Sequence, residues 1–360
     1  MKGRNTVGLL ETTTAQIVPQ DASWRTTARG RLEQLTMPYW ALGRLMDLAE
    51  DLAGITRSMQ PPVTRRVIVT MASDHGVAAE GVSQYPQEVT AQMVHNFAQG
   101  GAGINALAQV GRARLVVVDM GVLGDLSPLV RAGKILSRRM GPGTRNIAHG
   151  PAMEREEAVR CLEAGIMIAQ ELGPSVDLFG TGDMGIGNTT PSSAIAAVFS
   201  GRPAIEVTGR GTGIDEARLG WKSSIVQQAL DLNRPDPADG LDVLAKVGGF
   251  EIGGIAGLIL GAAAQRKPVI VDGFISTAGA LIAHALAPGA ADYMIAAHRS
   301  AERGHRLMLD YLGKHPLLDL DLRLGEGTGA ALAMPLIEAA ARLLSEVSTF
   351  AEAAVSEAAP

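Results

Sequence analysis

The chain has 360 residues, of which 46% are hydrophobic and 19% are charged, and its net charge is −5. This apolar content suffices for a large buried core and excludes a disordered chain, while the negative charge argues against a nucleic-acid surface. A single cysteine, Cys161, excludes disulfides within the chain, so a cytoplasmic location is expected. The sequence shows no signal peptide and no transmembrane segment, so no membrane contact is expected.

The N-terminal region is predicted to be helical. Leucines recur at three- and four-residue spacing up to about Met59, which is the pattern of amphipathic helices. Residues 37–39, with the sequence MPY, predict a break between two helices, and residues 60–62, with the sequence QPP, predict a linker. Cys161 lies further along the chain in a stretch of helical periodicity and is expected to be a packed helix residue.

Six short apolar runs, each followed by polar or glycine residues, predict the strands of a sheet. They are residues 67–71, 115–118, 176–179, 204–207, 269–271 and 293–296. Stretches rich in Ala, Leu and Ile separate them, which predicts an α/β fold with a mostly parallel, six-stranded, Rossmann-like sheet flanked by helices. Because ligands bind beyond the carboxyl ends of such strands, we expect the polar residues there to converge on one cleft. Any one of these ends, taken alone, is typical of an ordinary turn.

Residues 176–198, VDLFGTGDMGIGNTTPSSAIAAV, predict a strand, a glycine loop and a helix. Thr190 is of the residue type that caps helices, and Pro191 suits the first helical position. Backbone N–H groups and the positive end of the helix dipole make such a loop an anion site, most often for phosphate. The alternative is a glycine turn without a ligand, but four glycines and a polar cap are more than a turn needs.

Three alternatives apply to this stretch: a Walker loop, a dinucleotide-binding loop and a non-enzymatic nucleotide-binding module. It lacks Gly-Lys-Ser/Thr, which excludes a Walker loop. Residues 180–185 match the GxGxxG spacing of dinucleotide-binding proteins, and Glu206 lies near the expected distance, so a NAD-dependent oxidoreductase is one alternative. Pro191 places the helix start later than that fingerprint requires, so we interpret the match as accidental. A non-enzymatic nucleotide-binding module with the same loop is the second alternative.

A last glycine loop, residues 325–329 with the sequence GEGTG, precedes another predicted helix. Glycines on both sides leave Glu326 either as a carboxylate directed into the cleft or as a solvated turn residue, and the residues alone do not choose. His298 and His305 fall in a stretch predicted to be helical, residues 298–313. The seven histidines show no metal-binding spacing, so neither a metal nor a cofactor is expected.

Six long motifs, taken together and in order, resemble the nicotinate-nucleotide–dimethylbenzimidazole phosphoribosyltransferase family. They are SDHGVAAEGVSQYPQEVTAQM at residues 73–93, GTGDMGIGNTTPSSA at 180–194, GRGTGID at 209–215, KVGGFEIGGIAG at 246–257, VDGFISTAGAL at 271–281 and LRLGEGTGAALAMPLIEAA at 322–340. The resemblance extends from about residue 20 onward, and the set is highly specific although none of its motifs is specific alone.

The resemblance implies a reaction and an assembly. The phosphoribosyl group of nicotinate mononucleotide passes to 5,6-dimethylbenzimidazole, giving α-ribazole 5′-phosphate and nicotinate with inversion at the anomeric carbon, a step of cobalamin assembly. The family also implies a homodimer, whose larger domain carries the parallel sheet and whose smaller helical domain is built from both chain ends. We therefore divide the chain into helical residues 1–62, an α/β domain at residues 63–312, and residues 313–360, which carry the Glu326 loop and return to the smaller domain.

The resemblance also implies the roles of individual residues. Glu326 matches the family's catalytic base. Asp183 stands where many relatives carry glutamate, which leaves open whether its shorter side chain assists Glu326. The residues in motifs that hold the phosphoribosyl group are Gly185, Gly187, Asn188, Thr189, Lys222, Ser300, Gly325 and Gly327. The residues in the segment that lines the benzimidazole pocket are Ser83, Tyr85, Gln87 and Glu88.

Overall fold

The computed structural model describes residues 8–211, 213 and 215–356, and it contains a six-stranded parallel sheet. The strands are β1 Arg66–Ser73, β2 Ala113–Gly121, β3 Leu136–Ser137, β4 Leu178–Met184, β5 Val269–Val271 and β6 Met294–Ala296. They lie in the order β3-β2-β1-β4-β5-β6, and every neighbouring pair is parallel. This is the strand order of the doubly wound Rossmann class, so the predicted fold class is confirmed.

Helices cover both faces of the sheet and form most of its connections. They are α1 Leu9–Gln16, α2 Ala22–Leu32, α3 Arg44–Thr56, α4 Val89–Gln99, α5 Gly103–Val110, α6 Ser127–Arg131, α7 Arg155–Leu172, α8 Thr189–Ser200, α9 Ala204–Val207, α10 Glu216–Asn233, α11 Gly240–Val247, α12 Phe250–Ala264, α13 Phe274–Leu286, α14 His305–Tyr311, α15 Thr328–Glu346 and α16 Phe350–Ala353. None of the described helices combines the length and the apolar character that crossing a bilayer requires.

Alternate side chains of β1 enter two different hydrophobic layers. Val67, Val69 and Met71 pack in one layer with residues of α7, α8, α11, α12 and α13. Ile68 and Ala72 pack in the other layer with residues of α2, α3, α5 and α15. The pleat of a strand dictates this period of two, and because both faces are covered, all eight residues of β1 are buried.

The contact between α7 and α12 accounts for part of the high glycine content. A Cβ on Gly257 would lie 1.9 Å from the carbonyl oxygen of Leu162, and a Cβ on Gly165 would lie 2.0 Å from the carbonyl oxygen of Gly254. The missing side chains let the two helices meet backbone to backbone. Cys161 is buried in α7, as its helical periodicity predicts.

Segments from both ends of the chain pack against each other. Helix α3 contacts both α2 and α15. Arg31 of α2 donates hydrogen bonds to the carbonyl oxygens of Leu344 at 2.9 Å and Val347 at 3.0 Å. Leu35 and Thr349 form an isolated antiparallel bridge. The division of the chain into three parts, with its boundaries, remains a prediction.

One of the six strand predictions is wrong, and one strand is missing from them. Residues 204–207 form the short helix α9, and β3 has no counterpart among the predicted runs. The sequence AIEV fits a helical turn as well as a strand, and Pro203 lies at the N-cap in front of it. Strand β3 has only two residues, which is too short to leave a periodic pattern. The other five runs lie within or overlap the observed strands.

Helix α8 begins earlier than predicted, at Thr189, and its N-cap is Asn188 rather than Thr190. The chain is already turning there, because the backbone N–H of Asn188 donates to the carbonyl oxygen of Gly185 at 3.1 Å. Pro191 is therefore the third helical residue. It still lies in the first turn, where a helix has no use for the N–H that proline lacks.

Strand β4 continues through two of the glycines that were predicted to form a loop. It includes Gly180 and Gly182, so the loop between β4 and α8 is confined to residues 185–188. A Cβ on Gly182 would lie 2.3 Å from the carbonyl oxygen of Glu326 and 2.8 Å from Oγ1 of Thr70. Gly182 therefore lets the segment that carries Glu326 lie directly against the sheet.

Candidate active site

The site lies at the carboxyl ends of the strands, near the point where the strand order reverses between β1 and β4. A cavity of about 540 Å³ is lined there by residues that follow β4, β5 and β6, by Gly211, and by residues 321–325. Asp119, at the end of β2, lines a separate cavity of about 510 Å³. The predicted convergence of all six strand ends on one cleft is therefore only partly correct.

The loop at residues 185–188 and the first turn of α8 form one wall of the cavity. Gly187 has a φ of 91°, a left-handed conformation that favours glycine. The side-chain amide of Asn188 donates to Oδ2 of Asp183 at 3.0 Å, which ties the loop to the end of β4. The first N–H groups of a helix lack intrahelical acceptors and lie at the positive end of its dipole, so this wall suits an anion.

Lys222 brings a buried cation to the same wall. It lies on α10, is 1% exposed, and donates from Nζ to Oγ1 of Thr189 at 2.5 Å. Burial lowers the pKa of Lys222 to about 8, against the opposing effect of the Glu302 carboxylate. An ammonium group beside a helix N-terminus is well suited to bind a phosphate.

Ser300 and Glu302 follow β6 and line the same cavity. The backbone N–H of Ser300 donates to Nδ1 of His305 at 2.8 Å, and Oγ of Ser300 accepts from the backbone N–H of Glu302 at 3.3 Å. Glu302 in turn accepts from the backbone N–H of Gly211 at 2.8 Å, and burial raises its pKa. Burial lowers the pKa of His305 to about 3, so its ring is neutral and accepts at Nδ1.

The helical prediction for residues 298–313 is only partly correct. Helix α14 begins at His305 and ends at Tyr311, and His298 lies before it in an irregular segment. The two histidines therefore do not share a helix face. They still lie close together, with ring centroids 6.2 Å apart, because the chain turns between them.

Glu326 is a buried carboxylate, which excludes the interpretation as a solvated turn residue. It is 5% exposed and has a φ of 64°, between Gly325 at 81° and Gly327 at 100°. Oγ1 of Thr70 donates to its carbonyl oxygen at 2.7 Å, and the backbone N–H of Ile104 donates to its Oε2 at 3.0 Å. A glutamate in the left-handed region is strained, and these contacts with the sheet and with α5 hold it there.

Asp183, Asp272 and Glu326 form a cluster of buried carboxylates. The backbone N–H of Glu326 donates to the carbonyl oxygen of Asp183 at 3.1 Å, and Asp272 accepts from the backbone N–H groups of Gly327 and Ala330 at 3.2 and 2.9 Å. Burial is the main cause that raises the pKa of each carboxyl group. The negative charge of Asp272 raises the pKa of the other two further, and that of Asp183 lies well above its usual range.

The four residues expected to line the base pocket are placed differently from one another. Tyr85 lines the cavity and is 53% exposed. Oγ of Ser83 accepts from the backbone N–H of Tyr85 at 3.2 Å. The side-chain amide of Gln87 donates to the carbonyl oxygen of His75 at 3.2 Å, and Glu88 is exposed at the N-cap of α4. Of these four residues the structure thus brings Tyr85 to the cavity, whereas the Gln87 amide bonds to the backbone after β1.

The structure contradicts the dinucleotide alternative. Gly180 and Gly182 lie inside β4, whereas the fingerprint needs its glycines in the turn between strand and helix. Glu206, the candidate ribose-binding acid, is exposed on the helical turn α9 and pairs with Arg202 at 3.8 Å. The GxGxxG match is therefore accidental, as the sequence indicated.

The fold and the site define a class: a doubly wound α/β protein with a helix N-terminus, a buried lysine and a cluster of buried carboxyl groups near the switch point of its sheet. A family model described as Phosphoribosyltransferase matches residues 17–355. The nicotinate-nucleotide–dimethylbenzimidazole phosphoribosyltransferase of Syntrophotalea carbinolica is 67% identical over 351 residues, covering 98% of this chain and 99% of the relative. The protein of the same name from Desulfotalea psychrophila is 57% identical, covering 97% and 99%.

A solved structure is similar over nearly its whole length. The crystal structure of the nicotinate-nucleotide–dimethylbenzimidazole phosphoribosyltransferase from Thermus thermophilus has a TM-score of 0.88 and 47% sequence identity, covering 94% of this chain and 100% of that chain. The chain therefore belongs to the nicotinate-nucleotide–dimethylbenzimidazole phosphoribosyltransferase family, and the resemblance of its six motifs is confirmed. It is an enzyme of the phosphoribosyltransferase class.

Proposed function

We propose that this enzyme transfers the phosphoribosyl group of nicotinate mononucleotide to 5,6-dimethylbenzimidazole, giving α-ribazole 5′-phosphate and nicotinate with inversion at the anomeric carbon. Such a reaction supplies the nucleotide loop of cobalamin. The observation that carries the proposal is one cavity that is lined both by Thr189, which Lys222 contacts, and by Gly325, which directly precedes the buried Glu326.

The leaving group decides what the protein must supply. Nicotinate in its nucleotide is a pyridinium, so the C1′–N bond breaks with its electron pair going to nitrogen, and nicotinate leaves with a neutral ring nitrogen. No general acid is needed, in contrast to glycoside hydrolysis, where a pair of carboxyl groups is required. The catalytic demand therefore falls on the attacking base.

One benzimidazole nitrogen attacks C1′ with its lone pair, and the proton leaves from the other nitrogen. We assign this proton to Glu326. Its Oε2 is engaged by the backbone N–H of Ile104, which leaves Oε1 to accept the proton. Burial and the Asp272 charge raise the pKa of Glu326, which strengthens it as a base.

The remaining residues of the site bind and orient the donor. Lys222, Thr189 and Ser300 are placed to hold the 5′-phosphate beside the start of α8, with Gly185, Gly187 and Asn188 of the loop, while Gly325 and Gly327 shape the turn around Glu326. Tyr85, which lines the cavity, is proposed to hold the base together with Ser83, Gln87 and Glu88 of the same segment. A phosphate fixed at one end aligns C1′ with the attacking nitrogen, which is the positional part of catalysis.

The test is a reaction of purified enzyme with nicotinate mononucleotide and dimethylbenzimidazole, followed by chromatography with a chelator present. We expect nicotinate release that depends on dimethylbenzimidazole, together with a new ribotide peak. Binding of the nucleotide without release of nicotinate is what a non-enzymatic nucleotide-binding module would give. That outcome would contradict the proposal.

Substitution of Glu326 by glutamine tests the base. We expect kcat to fall by at least about 100-fold while the affinity for nicotinate mononucleotide changes by less than about threefold, because only proton acceptance is removed. The matched control is Glu346→Gln, at the exposed C-terminal end of α15, the helix that follows the Glu326 turn, where the carboxylate pairs with Arg342 at 3.0 Å. Equal activity in Glu326→Gln and the control would show that Glu326 is not the base.

We also propose that Asp183 assists Glu326 through the backbone contact between them, and that the enzyme acts in the cytoplasm as a homodimer. Light scattering on the purified protein would give twice the chain mass of 37.5 kDa for a dimer. A mass of one chain at the concentrations used for the assay would contradict the homodimer. Cell fractionation would test the location.

A further inference from the structure

Asp272 connects the sheet to the turn that carries Glu326. It follows β5 directly and is 1% exposed. Its Oδ2 accepts from the backbone N–H of Gly327 at 3.2 Å, and its Oδ1 accepts from the backbone N–H of Ala330 at 2.9 Å. Its own backbone N–H donates to Oγ1 of Thr181 on β4 at 3.1 Å. Asp272 thus joins strand β4, through its backbone N–H, and the residue that follows Glu326, through its side chain.

Helix α15 depends on this carboxylate for its N-terminus. Its N-cap is Gly327, which has no side chain with which to cap the helix. The N–H groups of a first helical turn need acceptors, and a carboxylate is favoured there by the helix dipole. Asp272, which follows a strand of the sheet, supplies both the acceptor oxygens and the negative charge. The sheet therefore holds the start of α15 and the turn before it in place.

We propose that Asp272 is a positioning residue of the reaction, which anchors the turn carrying Glu326 against the sheet and places a fixed negative charge beside the base. The inference rests on the proposed role of Glu326 as the base. It goes further, because the family resemblance assigns no role to Asp272. Anchoring and charge together also predict a shift in the pH dependence of the reaction, which a purely structural cap would not cause.

The charge of Asp272 acts within a defined set of neighbours. Its like charge raises the pKa of Glu326, so removing it lowers that pKa. Asp183 on β4 belongs to this cluster, the charge of Glu251 on α12 raises the pKa of Asp183, and Nε2 of His298 lies 3.9 Å from Oδ1 of Asp272. An isosteric change at Asp272 leaves these three groups in place, so the shift it causes reports the Asp272 charge.

The experiment is Asp272→Asn, with kcat and KM for nicotinate mononucleotide measured from about pH 5 to 9. Asparagine keeps the shape and one acceptor oxygen but loses the charge and one of the two caps. We expect kcat to fall at least about tenfold and KM for the nucleotide to change by less than about twofold. We also expect the acidic limb, the low-pH side of the plot of kcat/KM against pH, to move to lower pH. The limb moves down because Glu326 then holds its proton less tightly.

Asp119→Asn is the matched control. Asp119 is also a buried carboxylate at the end of a strand, and its Oδ1 accepts from the backbone N–H of Val122 at 2.9 Å. It lines the separate cavity, so we expect its variant to keep the acidic limb of the unmodified enzyme. A general loss of stability from removing a buried carboxylate would appear in the melting temperature of both variants.

Asp272→Glu separates anchoring from charge, because it keeps the charge and displaces the carboxylate. We expect the kcat of Asp272→Glu to fall while its acidic limb stays in place. If Asp272→Asn does not fold, the kcat of Asp272→Glu tests the anchoring role of Asp272. An unchanged kcat in Asp272→Glu, or an unshifted limb in Asp272→Asn, would overturn the inference. Glu326→Gln is assayed in parallel. If Glu326→Gln stays active, Glu326 is not the base and the proposed function fails with it. If Glu326→Gln is inactive but Asp272→Asn behaves like the unmodified enzyme, only the role of Asp272 is refuted.

Discussion

Replacing Gly182 with alanine should displace the turn that carries Glu326. The new Cβ would lie 2.3 Å from the carbonyl oxygen and 2.6 Å from the carbonyl carbon of Glu326. Non-bonded carbon and oxygen atoms rest at about 3.4 Å, so the two segments must separate by about 1 Å. Strand β4 is paired with β1 at this point, Gly182 opposite Thr70, so the turn moves rather than the strand.

A displacement of about 1 Å at a reacting group lowers the rate by about 100-fold, or about 2.7 kcal/mol in the activation free energy. We therefore expect Gly182→Ala to lose about 100-fold in kcat for nicotinate release with saturating dimethylbenzimidazole. The anion wall around Lys222 and Thr189 does not touch the new Cβ. The dissociation constant for nicotinate mononucleotide, measured by calorimetry without the base, should change by less than about threefold.

Gly180→Ala is the control on the same strand. Its Cβ would meet only side-chain atoms, at 3.2 Å from Ile68 and Met334 and 3.3 Å from Ala330. These atoms need to shift by only a few tenths of an ångström, so we expect kcat within about threefold of the unmodified enzyme. The reasoning is refuted if Gly182→Ala keeps more than about a third of kcat, or if Gly180→Ala loses as much activity as Gly182→Ala.

Two further predictions concern charge. Lys222→Met should weaken nicotinate mononucleotide binding by about 10- to 100-fold, whereas Lys246→Met on the surface should not. Because the pKa of Lys222 is about 8, affinity should fall as the pH rises through that value, and a flat profile would contradict its role. Arg65, 2.6 Å from Asp177, lowers the pKa of that carboxyl group although burial opposes it. Its contribution to folding stability is complete above about pH 4 and is lost as the pH falls through the folded pKa. Melting curves of Arg65→Met should show a smaller acid-dependent loss, because the backbone N–H of residue 65 still donates to Asp177.

The order of strands and helices could be predicted because each long strand leaves an apolar run between helical stretches. Strand β1 is the clearest case, since it is buried on both faces and its sequence is continuously apolar around Thr70. Residues 204–207 gave a wrong prediction because four residues contain too little periodicity to separate a helical turn from a strand. The length of β4 was underestimated because its glycines signal a loop in sequence, yet in the fold they admit the Glu326 turn.

From local spacing, the site could be predicted only where its residues are adjacent in sequence, and Lys222 and Ser300 were named through the family resemblance. The loop at residues 185–188 and Glu326 between its glycines were both recognised. Asp272 and Glu302 were not given roles, because their partners are remote: Asp272 bonds to Gly327 across 55 residues, and Glu302 bonds to Gly211 across 91. Only the fold brings such pairs together, and no local spacing marks them.

The arrangement of charge in the site has a direction, which fits the proposed donor. Lys222 and the N-terminus of α8 make one part of the site positive, while Asp272 and Glu326 bring carboxyl groups to the turn at residues 325–327. Nicotinate mononucleotide carries an anionic phosphate and, on the other side of the ribose, a pyridinium ring that bears a carboxylate. One orientation places the phosphate at Lys222 and the cationic C1′–N bond near Glu326, and the reverse would place the phosphate among carboxyl groups.

This direction also serves the reaction as its charge moves. The pyridinium charge disappears when nicotinate leaves, and positive charge then develops on the ribose and on the attacking base. The Asp272 carboxylate stabilises that charge, because two backbone N–H groups already hold it in place and it needs no reorganisation. Glu302 is the exception, since it lies at the positive end, but its charge opposes the effect of burial on Lys222 and so keeps the lysine protonated for the phosphate.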